Sequence, residues 1–315
     1  MCLIAVAWES HPRWRLVLAG NRDEFHARPT LPLARWAEDA RIVGGRDLEH
    51  GGGWLALRGT RLAAVTNVRR LPPPEGRSRG ELVAEFLRRE GPLHTTIAAL
   101  DTDATLYRPF NLLLHDGHAL AMATNLPDPH PSPTVPRTQA GHVPDAAHHD
   151  PAGLPIRFAD DGRMLGIASS ASSTSSAPGA PGAADPRDFA LRMLAPGIHG
   201  LSNGALDAIW PKTARLQTAL ADWLHGRGAA QDEPDLAPLF AALADPTQAP
   251  DAALPDTGVG LERERWLSSA FIRSPQYGTR ASTVVLIADD HALIHERRFG
   301  PEGVFQGETR LRTAE

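Results

Sequence analysis

Cys2 is the only cysteine in 315 residues, so the chain has no internal disulfide and no cysteine pair for a structural zinc. Its fold must therefore be held by an apolar core. The length permits one, as one large domain or two small ones. Hydrophobic residues make up 42% and charged residues 22%, the composition of an ordinary globular protein. A formal charge of -5 argues against a nucleic-acid or anionic-membrane partner. The opening Met-Cys-Leu-Ile-Ala-Val-Ala-Trp is apolar but short, lacks a basic leader and meets Glu9 at once. It reads as a strand rather than a signal peptide, and no apolar run reaches membrane-spanning length. The expectation is a cytoplasmic protein with no integral membrane association.

The position of Cys2 is chemically special. If Met1 is trimmed, one residue carries both a thiol and a free α-amine that titrates at roughly 7.7–8. Nucleophile and base then sit on the same residue, as in N-terminal threonine nucleophiles. The alternative is an inert cysteine buried in an opening strand. Lys212 is a second singularity, the only lysine among 32 basic residues. Arginine does not replace lysine where a compact ammonium is required.

The apolar pattern predicts an opening hairpin from strands at 2–8 and 14–19, with Gly20-Asn21-Arg22-Asp23-Glu24 presented at the strand end. Residues 42–43, 54–58 and 62–66 read as further strands, punctuated by Gly44-Gly45 and Gly51-Gly52-Gly53. Hairpins are expected at 110–124 around Asp116-Gly117 and at 282–296 around Asp289-Asp290-His291. Amphipathic helices are expected at 78–90, capped by Ser78, at 211–224, with proline in the first turn, and at 236–243. Between residues 127 and 186 the composition shifts to Pro, Ala, Ser and Asp, which predicts a low-complexity, mobile insertion. His148-His149-Asp150 lies inside it and reads as solvated loop rather than as a metal site.

The glycine runs match neither dinucleotide nor phosphate-loop fingerprints, and no G-x-S-x-G elbow is present, so nucleotide-fold and α/β-hydrolase readings are set aside. A coherent site can instead be assembled around Cys2. Asp23 ends the strand expected to pair with the Cys2 strand, where its carboxylate could hold the α-amine. Arg22 could lower the thiol pKa or bind a substrate carboxylate. Asn67 and Asn203 could donate to an oxyanion. Each also has a plain structural alternative, an ion pair for Arg22–Asp23 and a turn for either asparagine.

Several motifs occur together in one order: Asn21-Arg22-Asp23-Glu24, Gly44-Gly45-Arg46-Asp47, Gly52-Gly53-Trp54-Leu55, Thr66-Asn67-Val68-Arg69, Ser78-Arg79-Gly80-Glu81, His199-Gly200-Leu201-Ser202-Asn203 and Trp210-Pro211-Lys212. In this the chain resembles the NRDE family, also called the transport and Golgi organisation protein 2 family. The resemblance covers most of the chain and implies a single domain over 1–315, interrupted by the insertion at about 127–186. The implied fold is α+β, a four-layer αββα sandwich of two antiparallel sheets like that of N-terminal-nucleophile hydrolases. The family is similar, more distantly, to the cysteine branch of that fold, in which a post-methionine cysteine attacks an amide. That analogy implies Cys2 as nucleophile, Asp23 beside it, Asn67 and Asn203 as oxyanion donors, and Arg22, Trp54, Arg69 and Arg280 as substrate contacts. The implied reaction is hydrolysis of a C–N amide or related acyl bond of a small molecule, with no cofactor or metal. A heme-handling role has been proposed for the family, so the alternative is a non-catalytic carrier of heme or an acyl lipid with Cys2 as ligand.

Overall fold

The computed structural model describes residues 2–69, 75–98, 100, 104–125, 156–158, 163–167, 190–231 and 233–314. Strands β1 (Cys2–Trp8) and β2 (Leu16–Phe25) open the chain. They are followed by β3 (Thr30–Arg35), β4 (Ile42–Asp47), β5 (Leu55–Arg58) and β6 (Arg61–Asn67), then by helices α1 (Gly80–Arg88) and α2 (Leu93–Ala98). Strands β7 (Phe110–His115), β8 (Leu120–Thr124), β9 (Ile156–Phe158), β10 (Arg163–Ile167), β11 (Ala190–Met193) and β12 (Gly197–Leu201) come next. Helices α3 (Pro211–His225), α4 (Arg227–Ala230), α5 (Ala237–Leu243) and α6 (Leu261–Trp266) precede the closing strands β13 (Tyr277–Ile287), β14 (His291–Phe299) and β15 (Phe305–Ala314).

These strands form two antiparallel sheets. One has six strands in the order β12-β1-β2-β13-β14-β15; the other has nine in the order β3-β4-β5-β6-β7-β8-β11-β10-β9. Side chains alternate across a strand, and three apolar clusters follow from that alternation. Ile4, Val6, Leu18, Val285 and Ile294 of the first sheet meet Val43, Leu55, Leu57, Leu62 and Leu113 of the second, making the central core. On the far side of the first sheet, Leu3, Ala5, Val17, Val284 and Leu286 pack under Leu216, Leu220 and Leu224 of α3 and Leu239 and Leu243 of α5. On the far side of the second, Ile42, Ala63, Val65, Leu112 and Leu114 pack under Leu82, Val83, Phe86 and Leu87 of α1. The result is an α+β sandwich in which the central strands of each sheet are apolar on both faces, so those strands read as nearly unbroken hydrophobic runs. No helix among the described residues is long and apolar enough to cross a membrane.

The structure differs from expectation in four places. The second strand runs further than Ala19: the segment Gly20–Glu24, expected at its end, continues β2 to Phe25 and pairs with both β1 and β13. Ser78 does not cap α1: Arg79 occupies that position and no side chain caps the helix. The strands β3, β11, β12 and β15 and the helices α2, α4 and α6 were not anticipated. β15 is largely exposed and rich in charged residues, which is how a sheet edge resists further pairing. Within the expected insertion, β9 and β10 add two short strands to the edge of the nine-stranded sheet. The serine run and His148-His149-Asp150 lie outside the described residues.

Candidate functional site

Strand pairing builds the site. β1 begins at Cys2, whose register partner on β2 is Arg22. In this antiparallel pair the nitrogen end of Cys2 therefore lies alongside Asp23. Alternation then divides the Asn21-Arg22-Asp23-Glu24 motif between two faces. Arg22 and Glu24 share the inter-sheet side with Cys2, and Asn21 and Asp23 face the helical layer.

The two residues on the helical face are locked. Asn21 Nδ2 donates to the carbonyls of Leu243 (2.8 Å) and Ala270 (2.7 Å), and its Oδ1 accepts from the Ser282 hydroxyl at 2.7 Å. Asp23 Oδ1 accepts from the Thr279 hydroxyl at 2.7 Å, and Tyr277 OH donates to the Asp23 backbone carbonyl at 3.3 Å. Burial pushes the Asp23 carboxyl pKa up, while Lys212, the Thr279 hydrogen bond and Arg22 pull it down. Lys212, at the start of α3, is buried and donates Nζ to the Leu267 carbonyl at 3.0 Å. Burial lowers its pKa to about 8, against the opposing pull of Asp23. The lone lysine thus places a compact cation behind the carboxylate.

On the inter-sheet face, Cys2 is a free thiol, 6% exposed, that closes one end of the central core and lines a cavity of about 100 Å³. Burial raises its pKa, Asp23 adds to the rise, and Arg22 opposes it. The same cavity is lined by Arg22, Asp23, Trp54 and Asn67 among the residues expected at the site. A neighbouring cavity of about 500 Å³ shares Arg22, Thr30, Gly45 and Trp54 with it and extends to Arg280, Glu296 and Phe299.

Three expected contacts lie elsewhere. Asn203 does not line the Cys2 cavity. Its Nδ2 donates to the Asn67 backbone carbonyl at 2.7 Å, its own carbonyl accepts from Arg69 N at 3.0 Å, and the adjacent Ser202 hydroxyl donates to the Cys2 carbonyl at 3.0 Å. It ties Asn67 to the Cys2 strand. Arg69 reaches away to a buried pair, with Nη1 at 2.9 Å from Glu264 Oε2 and 2.6 Å from the Thr257 hydroxyl. Arg280 sits where the β2–β13 register shifts, donates to the carbonyls of Phe25 (3.1 Å) and Arg28 (2.7 Å), and borders only the larger cavity.

Other lining residues were not singled out from sequence. Arg79 and Arg108 border the Cys2 cavity, as do Ser78 and Gly80 at the start of α1. The glycine run explains their approach. A Cβ on Gly52 would fall 2.3 Å from the carbonyl carbon of Gly80, so only glycine lets the loop and the helix start meet. Burial and the nearby Arg108 lower the Arg79 pKa to about 10.

A two-sheet α+β sandwich with a lone cysteine at residue 2, buried at the mouth of a charged cavity, is the class of protein this geometry defines. The family model "Transport and Golgi organisation 2" matches residues 1–301, and the chain belongs to that family. It is 30% identical to the Transport and Golgi organization protein 2 homolog of Bos taurus over 94% of this chain and 92% of the relative. It is 28% identical to the Homo sapiens homolog over 98% and 97% of the two chains. With Transport and Golgi organization protein 2 of Drosophila melanogaster it shares 36% identity over 36% of this chain and 45% of the relative.

Proposed function

We propose that this protein is an N-terminal-nucleophile hydrolase, in which Cys2, freed by removal of Met1, attacks the C–N amide or a related acyl bond of a small substrate. The observation that carries the reading is the lone thiol lining a cavity with Arg22, Asp23 and Asn67, at the strand end where its nitrogen runs beside Asp23. With Met1 in place that nitrogen is an amide; the mechanism requires it as an amine. The amine takes the thiol proton, and the thiolate adds to the carbonyl carbon. The Asn67 side-chain amide donates to the oxyanion, with Asn203 holding the Asn67 backbone. The tetrahedral adduct expels the leaving amine, which takes the proton back from the α-ammonium, and a thioester remains. Water, deprotonated by the same amine, then releases the carboxylic acid and restores the thiol. Asp23, with Lys212 behind it, holds the ammonium formed at each step.

The carrier alternative fits less well. Small-molecule and cofactor sites usually enclose roughly 300–1,000 Å³ and are mostly apolar. The space at Cys2 is about 100 Å³ and its described lining includes five arginines and three carboxylates, which does not suit a porphyrin with Cys2 as axial ligand.

The test is intact-mass analysis of the purified protein after iodoacetamide, followed by assay on a panel of N-acyl amino acids and acyl anilides. Loss of Met1, one adduct on Cys2 and turnover abolished by Cys2→Ala are expected. Turnover by protein that keeps Met1 would sink the amine-base mechanism.

A further inference from the structure

The charge at the Cys2 cavity is unbalanced in a way the hydrolase reading does not use. Among the described residues five arginines line it, and two of these are neutralised. Arg28 pairs with Asp47 at 2.6 Å and with Glu49. Arg46 pairs with Glu38, donates to the Gly51 carbonyl at 2.6 Å and stacks on Trp36. The other three are paired only at long range or not at all among the described residues. Arg22 is 7% exposed and has only long contacts, 3.8 Å to Glu24 and 3.8 Å to Asp47. Its Nη1 is buried with no hydrogen-bond partner among the described residues. Arg79 donates to the Pro109 carbonyl at 3.3 Å and, like Arg108, makes no ion pair among the described residues. The start of α1 adds to this potential, because Ser78, Arg79 and Gly80 line the cavity and no side chain caps the helix.

We propose that this cavity holds a compact oxyanion group of the substrate, a carboxylate or a phosphate, on Arg22, Arg79, Arg108 and the N-terminal end of α1. Arg22 is buried and Arg79 partly buried, so an anion there would replace solvation that each has lost, while Arg108 reaches the cavity from an exposed position. A buried donor without a partner marks where one of the anion's oxygens goes. The volume of about 100 Å³ matches such a group beside the reacting carbonyl and little more. The remainder of the substrate then extends past Arg22 and Trp54 into the cavity of about 500 Å³, whose lining includes Leu31, Pro32 and Phe299. The substrate class is thus an acidic amide with a bulkier, partly apolar remainder. The reaction assignment rests on the Cys2 reading, but the anion site stands or falls separately.

Two measurements on the full chain distinguish these. The first is thermal unfolding with sodium phosphate, sodium acetate or sodium chloride at matched ionic strength, for wild type, Arg79→Gln, Arg108→Gln and Cys2→Ala. A rise in Tm with phosphate or acetate over chloride is expected in wild type and Cys2→Ala, and a smaller one in either arginine variant. A larger rise with phosphate points to a phosphate monoester; a rise with acetate alone points to a carboxylate. The second uses the lone thiol, comparing alkylation rates of iodoacetate and iodoacetamide at Cys2 with those of free cysteine. A cationic cleft should raise the iodoacetate-to-iodoacetamide ratio about tenfold or more over free cysteine, and the arginine variants should return it toward that reference. A free-cysteine ratio with no anion-specific Tm rise overturns the anion site even when Cys2 is reactive. Anion-specific stabilisation with an unreactive Cys2 overturns the hydrolase reading and leaves the anion site standing.

Discussion

The Thr279 hydroxyl donates to Asp23 Oδ1 at 2.7 Å while accepting from the Ile272 amide at 3.0 Å. The Ile272 bond uses the hydroxyl as acceptor, so its single proton is committed to the carboxyl group. Thr279→Val removes that proton and orphans the Ile272 amide. Hydrogen bonds to charged groups contribute about 1.5–3 kcal/mol, and a loss of that order is expected. The Asp23 pKa is already raised by burial, so it binds protons more tightly folded than unfolded, and stability falls as pH rises through that interval. Losing Thr279 raises it further, so the deficit should widen with pH. Urea unfolding from pH 4 to pH 9 measures this, and Thr279→Ser should restore wild-type behaviour. A deficit independent of pH would mean that the bond does not serve the carboxylate.

Asn21 opens the family's four-residue motif, yet it fastens the fold rather than touching the Cys2 cavity. Its three hydrogen bonds join β2 to the end of α5, to the segment before β13 and to β13 itself. Asn21→Leu would leave two buried carbonyls and the Ser282 hydroxyl unpaired, each costing about 1–3 kcal/mol. The expected outcome is a loss of several kcal/mol in chemical denaturation or failure to accumulate folded protein. Ser282→Ala, which breaks one bond, should cost about 1 kcal/mol.

These contacts show why some of the site was legible in the sequence and some was not. The core strands β1, β5 to β8 and β13 stand out because both of their faces are apolar. The same logic hid the end of β2: Asn21, Arg22 and Asp23 are buried polar residues, and their partners lie up to 261 residues away in the chain. No local pattern announces such bonds, so the expected strand stops at Ala19 and the polar segment reads only as its end. The arginines failed for another reason. In a chain with one lysine and abundant arginine, Arg69 and Arg280 look no different from Arg79 and Arg108. Only the packing shows that Arg69 serves Glu264 while Arg79 faces the cavity. Cys2 and Lys212 were visible because each is unique.

Gly52 is the close point between the loop after β4 and the start of α1. A Cβ there meets Gly80 backbone atoms at 2.3 to 2.8 Å, and backbone does not move aside as a flexible side chain would. Gly52→Ala should therefore cost about 1–3 kcal/mol, the range for overpacked sites. It should also shift Ser78 and Arg79 relative to the cavity and lower anion-specific stabilisation beyond the loss in Tm itself. Gly51→Ala, at a position with φ of 72° and no backbone within 4 Å of the added carbon, is strained for a different reason. It should lower Tm without changing the phosphate-dependent rise.

Lys212 gives the clearest pH signature. Its folded pKa is about 8, against an ordinary 10.5, because burial disfavours the ammonium. Between those values the unfolded chain holds a proton that the folded chain has released. Unfolding therefore takes up a proton, and stability rises as pH climbs from about 8 to about 10.5. The difference of about 2.5 pH units corresponds to about 3 kcal/mol across that window. Other groups titrate there too, so the informative quantity is the difference between wild type and Lys212→Met, measured by urea unfolding from pH 7 to pH 10.5. Wild type should gain stability relative to the variant as pH rises. Lys212→Arg keeps a charge that does not titrate in this range and should be the less stable variant throughout, because the larger guanidinium stays charged in the same buried space. Parallel profiles for wild type and Lys212→Met would show that the ammonium is not desolvated behind Asp23, and would remove the support it lends to the carboxylate.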